Sequence, residues 1–333
     1  MSKWFEDPAE RLEKLVLSME PRFRARFLAV VKSIKDSTTL ESVSRLLAAG
    51  LVDEALVTAE VAALRMSSLW TQVFINSGSE TAKVLEGSLN ILVEFDHINQ
   101  GALDVMTRSR LRLIQEFTAE QRAATHEALI DGVRRGANPI EQARNFRNSI
   151  GLTQHQQQIV NNYRGQLERL DRSAFDRLLR DKRFDRTLRD AIESGRALSP
   201  DQIDRMVTRY AEKWVKYRSE VIARTESLRS VHSGNNEMYR QAVERGDLDS
   251  EELVRAWNTS QRPNVRDSHK TMHGQERKMG EMFLSGEGNL LEYPGDDRAP
   301  ASDTVQCVCA VTTRFSNAAK EAANAALPIA QPL

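Results

Sequence analysis

The sequence is poor in cysteine, with two in 333 residues, which is too few for a disulfide framework. It contains no apolar run near the roughly 18 to 20 residues that a membrane-spanning helix needs. Its first ten residues, MSKWFEDPAE, lack the apolar segment of a secretory signal peptide. We therefore expect a protein that is made in a cytoplasm and has no membrane-spanning segment.

Aromatic residues are also scarce, at 6% of the chain, whereas hydrophobic residues make up 40% and charged residues 28%. This composition is typical of a folded protein with an aliphatic core and excludes an extensively disordered chain. The 47 basic and 47 acidic residues cancel, so no overall charge attracts the protein to nucleic acid or to an anionic membrane.

A basic segment nevertheless lies between two acidic ones. Residues 161–245 contain 19 Lys and Arg against 14 Asp and Glu, whereas residues 51–100 contain 2 against 7 and residues 246–333 contain 9 against 13. One interpretation is a solvated helix surface with mixed ion pairs. The other is a surface that contacts nucleic acid, such as double-stranded DNA, or an acidic partner.

Helical periodicity dominates the first 220 residues, which we predict to form an extended helical arm or docking region. Helix starts are predicted at capping residues within Ser37-Thr38-Thr39 and at Asn138, Thr153 and Ser199. Breaks are predicted at Pro21, before Thr118, and at Gly78, Gly87 and Gly101, with a possible subdivision near residues 76–103. The run Leu89 to Phe95 is apolar enough for either a short strand or a buried helix.

The stretch from Ile222 to Phe315 has a different character, because it combines a tryptophan, two histidines, a Pro-Gly turn and both cysteines. We predict a small α+β module over residues 221–316, followed by an Ala-rich tail over 317–333. A strand is expected near residues 254–259, and a short helix is expected to hold His269 and His273. A final strand is expected over Thr304 to Arg314. The predicted fold class is therefore mainly α, with an extended helical N-terminal region before this module.

The order of motifs in this module is distinctive. It runs through ARTES, a tryptophan, VRDSH, a glycine, YPGDD and Cys-x-Cys, which contain Arg224, Thr225, Glu226, Trp257, His269, Gly274, Pro294, Gly295, Asp296, Cys307 and Cys309. In order and spacing it resembles the C-terminal domain of phage Mu F-like minor head proteins, also called phage head morphogenesis proteins. Val308 stands where that family usually has arginine.

The resemblance implies a minor structural protein of a tailed-phage head, at the portal vertex or the capsid interior. It implies a role in head assembly, genome packaging or delivery, with the portal protein or major capsid protein as partners. It implies neither a catalytic residue nor a cofactor, so we expect no enzymatic activity. A Gly-rich phosphate loop and a nucleophile at a recognisable spacing are also missing from the sequence.

Two alternatives to a structural role stay open. His269 and His273 would share a face of the predicted helix, and Cys307 and Cys309 would share a face of the predicted strand, so the four could bind zinc. A zinc- or His-dependent hydrolase is then conceivable. Otherwise His269 is hydrogen-bonded within the module and the thiols are packed as small apolar groups, or the cysteines form a disulfide. The second alternative function is a stand-alone DNA-binding protein.

Overall fold

The computed structural model of the protein describes residues 8–49, 51–89, 92–260, 262–263 and 265–315. Helices dominate these ranges, and a few short antiparallel strands follow residue 252. The predicted fold class, mainly α with a small α+β module, is confirmed. The predicted Ala-rich tail lies outside the described residues. Within them, no helix has the length and apolarity needed to cross a membrane.

Helices and strands are numbered in chain order. The helices are α1 (Pro8–Ser37), α2 (Leu40–Ala48), α3 (Val52–Leu89), α4 (Gln100–Arg134), α5 (Pro139–Ser149), α6 (Gln154–Glu168), α7 (Asp185–Ser194), α8 (Pro200–Arg245), α9 (Asp267–Lys270) and α10 (Ala301–Thr304). The strands are β1 (Leu253–Asn258), β2 (Glu276–Arg277), β3 (Phe283–Leu284), β4 (Leu290–Leu291) and β5 (Ala310–Phe315). Short 3-10 helices span Arg172–Asp176, Lys182–Phe184 and Ser250–Glu252.

The predicted helix starts are confirmed by their capping hydrogen bonds. Thr39, Asn138, Thr153 and Ser199 each accept a hydrogen bond from the backbone N–H three residues further along the chain. The last two caps are reciprocal, because a glutamine at the third helical position accepts from the backbone N–H of the capping residue. A helix cap needs only a side chain and a backbone N–H three residues further along the chain. Helix starts of this kind can therefore be predicted from the sequence alone.

The predicted break at Pro21 is wrong, because α1 continues through this residue. Pro21 is exposed, so the carbonyl of Leu17, which loses its intrahelical donor, lies on the solvent side of the helix. On the opposite side, Val16 and Phe23 are buried on either side of the proline. Burial of this apolar face therefore outweighs the lost hydrogen bond.

The predicted breaks at Gly78, Gly87 and Thr118 are also wrong, because α3 continues through both glycines and α4 continues through Thr118. A break does lie next to Gly101, which is the second residue of α4 and follows the non-helical residues 92–99. At Gly78 a side chain is absent because the ring of Phe95 occupies that space, within 2.7 Å of where a Cβ atom would lie. The glycine therefore marks a packing contact within a continuous helix.

The predicted strand or helix over Leu89 to Phe95 is also wrong for its described part. The helix α3 ends at Leu89, residues 92–95 have no regular structure, and Asn90 and Ile91 lie outside the described residues. Val93 and Phe95 of this segment are buried nonetheless. Its apolar composition therefore reflects burial in a loop.

The chain forms two compact units. Unit 1 combines Met1–Phe23, Ser68–Arg110 and Val221–Leu333, and unit 2 combines Arg24–Ser67 and Leu111–Glu220. Residues 221–315 thus share unit 1 with two segments of the predicted helical arm. The division into domains over 1–220, 221–316 and 317–333 stays a prediction.

Unit 2 has a helical core with aromatic contacts. The rings of Phe27 and Phe117 pack edge to face at 6.1 Å, and those of Tyr163 and Tyr210 lie 4.4 Å apart. The helices α5 and α6 are joined by a buried turn inside this core. There the side chain of Gln121 accepts a hydrogen bond of 2.8 Å from the backbone of Gly151.

Unit 1 is built on a close contact between α3 and α8. Ser77 on α3 donates a hydrogen bond of 2.7 Å to the carbonyl of Val231 on α8. At Gly234, a Cβ atom would lie 2.2 Å from the carbonyl oxygen of Phe74, so the backbones approach as closely as a glycine allows. The contact with α3 therefore holds the second half of α8 in place.

The module contains two small antiparallel sheets. In the first, β1 lies between β2 and β5, and Trp257 on β1 pairs with Val311 on β5. In the second, β3 pairs with β4 and places Phe283 opposite Leu291, with both side chains fully buried. The predicted strand near 254–259 is confirmed as β1. The predicted strand over Thr304 to Arg314 is confirmed only for its last part.

The close approach at Gly234 predicts a large effect of one methyl group. Gly234→Ala should destabilise the protein by about 1–3 kcal/mol, because α3 must move away from α8. Gly165→Ala is the matched control, since its Cβ atom would meet only the end of the flexible Arg169 side chain, at 3.1 Å. That variant should be neutral or stabilised by up to about 1 kcal/mol. Urea unfolding measures both, and equal midpoints for Gly234→Ala and the wild type would contradict the close crossing.

Candidate functional site

The ARTES motif lies in the second half of α8, where its side chains tie the helix to other parts of unit 1. The guanidinium of Arg224 pairs with the carboxylate of Glu20 at 2.5 Å. The hydroxyl of Thr225 accepts a hydrogen bond of 3.0 Å from the backbone N–H of Gln306. The motif therefore connects α8 with α1 and with the segment that holds the cysteines.

The next two charged residues of α8 form a buried ion pair. Arg229 donates to Glu226 at 2.8 Å and to the hydroxyl of Thr304 on α10 at 2.9 Å. The side chains of Arg229 and Glu226 are only 9% and 6% exposed. Such a pair fixes geometry, because removing either partner would leave a charge buried without a counter-charge.

Trp257 is the centre of the module's aromatic contacts. Its ring is fully buried and packs edge to face against His269 at 5.6 Å and against Phe283 at 5.3 Å. Its carbonyl accepts a hydrogen bond of 2.9 Å from the backbone of Gly274, which has a left-handed backbone with φ of 79°. The signature tryptophan and glycine therefore belong to one packing unit with the signature histidine.

Arg255 is an important residue that the sequence analysis missed. It lies on the same buried face of β1 as Trp257 and is 1% exposed. Its guanidinium donates to the side chain of Asn236 and to the carbonyl of Glu292, both at 3.0 Å, and lies 5.4 Å above the ring of Phe283. Burial lowers the pKa of Arg255. The sequence did contain a signal for its burial. Arg255 lies two residues before Trp257 in a strand of alternating residues, so both side chains lie on the same face of the strand.

The YPGDD motif forms a tight turn against α8. Gly295 has φ of 82°, and a Cβ atom there would lie 2.7 Å from the side chain of Arg229, so both backbone and space require glycine. Pro294 before it is buried. Asp296 after it is fully buried and accepts hydrogen bonds from the backbone of Glu292 at 2.8 Å and of Arg298 at 3.1 Å. The predicted turn is confirmed, and Asp296 holds it closed.

The two histidines separate in the structure. The helix α9 spans only Asp267–Lys270, so the prediction that His269 and His273 share a helix face is wrong. His269 is 1% exposed, whereas His273 is exposed and its Nδ1 accepts a hydrogen bond of 3.2 Å from the backbone of Thr259. The predicted four-residue metal set therefore loses His273.

The cysteines lie before the last strand, so their predicted place within it is wrong. Residues up to Thr304 form α10, and Gln306 has a left-handed backbone with φ of 55° that redirects the chain. Cys307 and Cys309 follow this turn, and both sulfurs face His269. The Nδ1 atom of His269 lies 3.5 Å from the sulfur of Cys307 and 3.4 Å from that of Cys309.

These three residues form a closed cluster. One donor atom from each lies within 4.8 Å of the others, and all three side chains are buried. The pKa of Cys307 is held well below its usual range, because the thiol of Cys309 donates to its sulfur and His269 lies beside it. The pKa of Cys309 is raised, because its proton is held by Cys307 and because it is buried. The pair therefore favours a thiolate at Cys307.

Asp303 on α10 completes the surroundings of His269 and was missed by the sequence analysis. Its Oδ1 atom lies 3.4 Å from Nε2 of His269, with both side chains nearly inaccessible. Asp303 accepts hydrogen bonds from Ser268 at 3.2 Å and from Asn289 at 2.9 Å. Burial alone would raise its pKa, but these hydrogen bonds outweigh burial and lower it. The sequence has no local signal for a contact between residues 34 positions apart.

A small cavity adjoins this cluster. It measures about 100 Å³ and is lined by Cys309 and Val308, by Arg224 and His232 of α8, and by Glu13 of α1, among others. His232 is buried, and burial lowers its pKa from 6.5 to about 3. It is therefore a neutral imidazole at physiological pH.

The buried acceptor in the YPGDD turn generates one prediction. Asp296→Ala should cost about 1–3 kcal/mol, because two backbone N–H groups lose their acceptor inside the protein. Asp267→Ala is the matched control, since its carboxylate is 96% exposed and pairs with an exposed Lys270. That variant should unfold at the same urea concentration as the wild type, because an exposed ion pair contributes little to stability. Equal urea midpoints for both variants would show that Asp296 does not hold the turn.

The neutral His232 generates a prediction about pH. Its pKa is lower in the folded protein than in the unfolded chain, so between about pH 6.5 and pH 3 the unfolded state binds more protons. Stability should therefore fall with falling pH, by up to about 1.4 kcal/mol per pH unit from this residue. Urea unfolding from pH 6.5 to pH 4.5 should show a shallower slope for His232→Gln than for the wild type. Equal slopes would contradict the depressed pKa.

Comparison with known proteins agrees with the motif order. Residues 182–312 match the family described as Phage Mu protein F like protein, a range that includes every signature residue from Arg224 to Cys309. The match begins in the 3-10 helix Lys182–Phe184 and so extends further towards the N-terminus than the resemblance noted from Ile222. No curated protein and no solved structure matches the chain significantly. The match therefore supports a phage Mu F-like head morphogenesis family for the C-terminal region of this chain, in agreement with the order of its motifs.

Proposed function

We propose that the protein is a minor structural component of a tailed-phage head, located at the portal vertex or the inner capsid surface. Its role would lie in head assembly, genome packaging or genome delivery. The observation that carries this proposal is the family match over residues 182–312, since the family indicates head morphogenesis and hence a location in the virion. Head proteins are the partners that such a role requires.

The use of the signature residues supports a structural role over a catalytic one. Arg229 donates hydrogen bonds to Glu226 and to Thr304 on α10. Asp296 accepts a hydrogen bond from the backbone of its own turn. These charged side chains are buried, and these hydrogen bonds join residues of unit 1. A hydrolase would need polar groups that face a cleft where substrate can enter. We therefore propose that the protein is not an enzyme.

The charge arrangement of residues 161–245 supports protein partners more than DNA. Arg183 pairs with Asp181 at 2.6 Å, and Arg180 pairs with Asp185 at 3.0 Å. Cations that are neutralised by adjacent carboxylates release fewer counterions on contact with phosphate, so they contribute less to DNA affinity. We propose the portal protein or the major capsid protein as the main partner, with packaged DNA as a weaker contact.

Co-assembly with the head proteins of the same phage tests this proposal. The chain should be expressed with the portal, scaffold and major capsid proteins, and in parallel without the portal. We expect it to sediment with portal-containing heads and to be lost from portal-free shells, as measured by mass spectrometry of gradient fractions. Equal amounts in both would favour the inner capsid surface as its location. Absence from both kinds of particle would overturn the proposal.

A DNA-binding measurement on the full chain distinguishes the proposed head protein from a stand-alone DNA-binding protein. We expect weak binding to duplex DNA that disappears as salt rises to physiological concentration. Tight binding that survives physiological salt, together with absence from heads, would favour that alternative.

A further inference from the structure

The cluster of His269, Cys307 and Cys309 has the dimensions of a metal site. In a tetrahedral zinc site, with Zn–N near about 2.0 Å and Zn–S near about 2.3 Å, the nitrogen and each sulfur lie about 3.5 Å apart. The two corresponding distances from Nδ1 of His269 are 3.5 Å and 3.4 Å. The nitrogen and each of the two sulfurs thus already have the separation that a single ion would impose, and all three donors lie within 4.8 Å of one another.

Hydrogen bonding to His269 accounts poorly for the position of both sulfurs. A single Nδ1 atom either accepts from one thiol or donates to one thiolate, so it serves one sulfur at a time. In this cluster both sulfurs lie at nearly the same distance from it. An ion between the three atoms would bind all of them at once. The sulfur of Cys307 also accepts from the backbone N–H of Cys309 at 3.5 Å, a contact that stabilises a thiolate.

The surroundings of His269 are those of a histidine ligand. A histidine bound to a metal usually donates its other N–H group to a carboxylate, which fixes the tautomer and the ring orientation. Nε2 of His269 makes no hydrogen bond within the described residues, but it lies 3.4 Å from the buried carboxylate of Asp303, which is itself held by Ser268 and Asn289. With the proton on Nε2, the lone pair of Nδ1 points towards the sulfurs.

We propose that His269, Cys307 and Cys309 bind one Zn²⁺ ion through Nδ1 and two thiolates, and that Asp303 is the residue that positions the imidazole. Two thiolates balance the charge of the ion, so the site suits a buried location. No fourth histidine, cysteine or carboxylate joins the cluster in the part of the chain that the structure describes. A water molecule would fill the fourth position. The ion would link α9 to the segment before β5 and so stabilise the module.

The test also distinguishes two other states of the cysteines, a disulfide and a reactive thiolate. A Cys307–Cys309 disulfide would leave no thiolate for a metal. A reactive thiolate activated by His269 and Asp303 would need access for a substrate, but both sulfurs are at most 3% exposed. The metal site is favoured because it uses all three buried donors. It does not depend on the location of the protein in a phage head.

The test uses the untagged full chain, because a polyhistidine tag would itself bind zinc. After dialysis we expect about one zinc per chain by elemental analysis. Replacement by Co²⁺ should give the ligand-field absorption of a tetrahedral site together with thiolate-to-cobalt charge transfer. Cys307→Ser, Cys309→Ser and His269→Ala should each lose the stoichiometric metal, while circular dichroism reports whether each variant keeps its helices.

The control and positioning variants sharpen the result. His273→Ala should keep full zinc content, because its side chain is exposed and outside the cluster. Asp303→Asn should still bind at saturating metal but about 10- to 100-fold more weakly. A wild-type protein that contains no zinc, that shows no thiolate-to-cobalt charge transfer on reconstitution under reducing conditions, or whose intact mass reveals a disulfide would overturn the proposal. That measurement needs no variant, so misfolded mutants cannot obscure it.

Discussion

The second half of α8, residues 221–245, is buried on nearly all sides although many of its side chains are polar. A buried polar group without a hydrogen-bond partner is costly, so the surrounding segments must supply partners. Gln241, for example, both donates to and accepts from the backbone of Asp96, which fastens the loop after α3. The partner requirement of this helix therefore determines where the loops of unit 1 lie.

The same requirement positions the cluster of sulfur and nitrogen donors. Thr225 holds the backbone of Gln306, and Arg229 holds the hydroxyl of Thr304. These two contacts flank the turn that leads into the first cysteine, so α8 fixes that turn. The signature motif on the helix and the Cys-x-Cys pair are thus parts of one structural device. This explains why a motif with the chemistry of an active site, Arg-Thr-Glu, serves packing.

The sequence predicts much of the fold where a signal is local. Capping residues such as Asn138 and Thr153 identify helix starts because donor and acceptor are three residues apart. Proline and glycine predict helix ends less reliably, since Pro21 and Gly78 lie within continuous helices. A proline or glycine costs a fixed local amount, whereas the gain from burying the helix face depends on partners far away in the sequence.

For the candidate site, the sequence by itself determined the order of motifs and the family resemblance of the C-terminal region. It also identified the three donors that meet, as part of a predicted set of four. The tertiary structure alone decided that His273 lies apart and that Asp303 faces His269. Contacts between residues 38 and 40 positions apart bring the histidine to the cysteines. Such contacts arise from the turn at Gln306 and the packing of α10 against α8, and neither has a periodic or local signature.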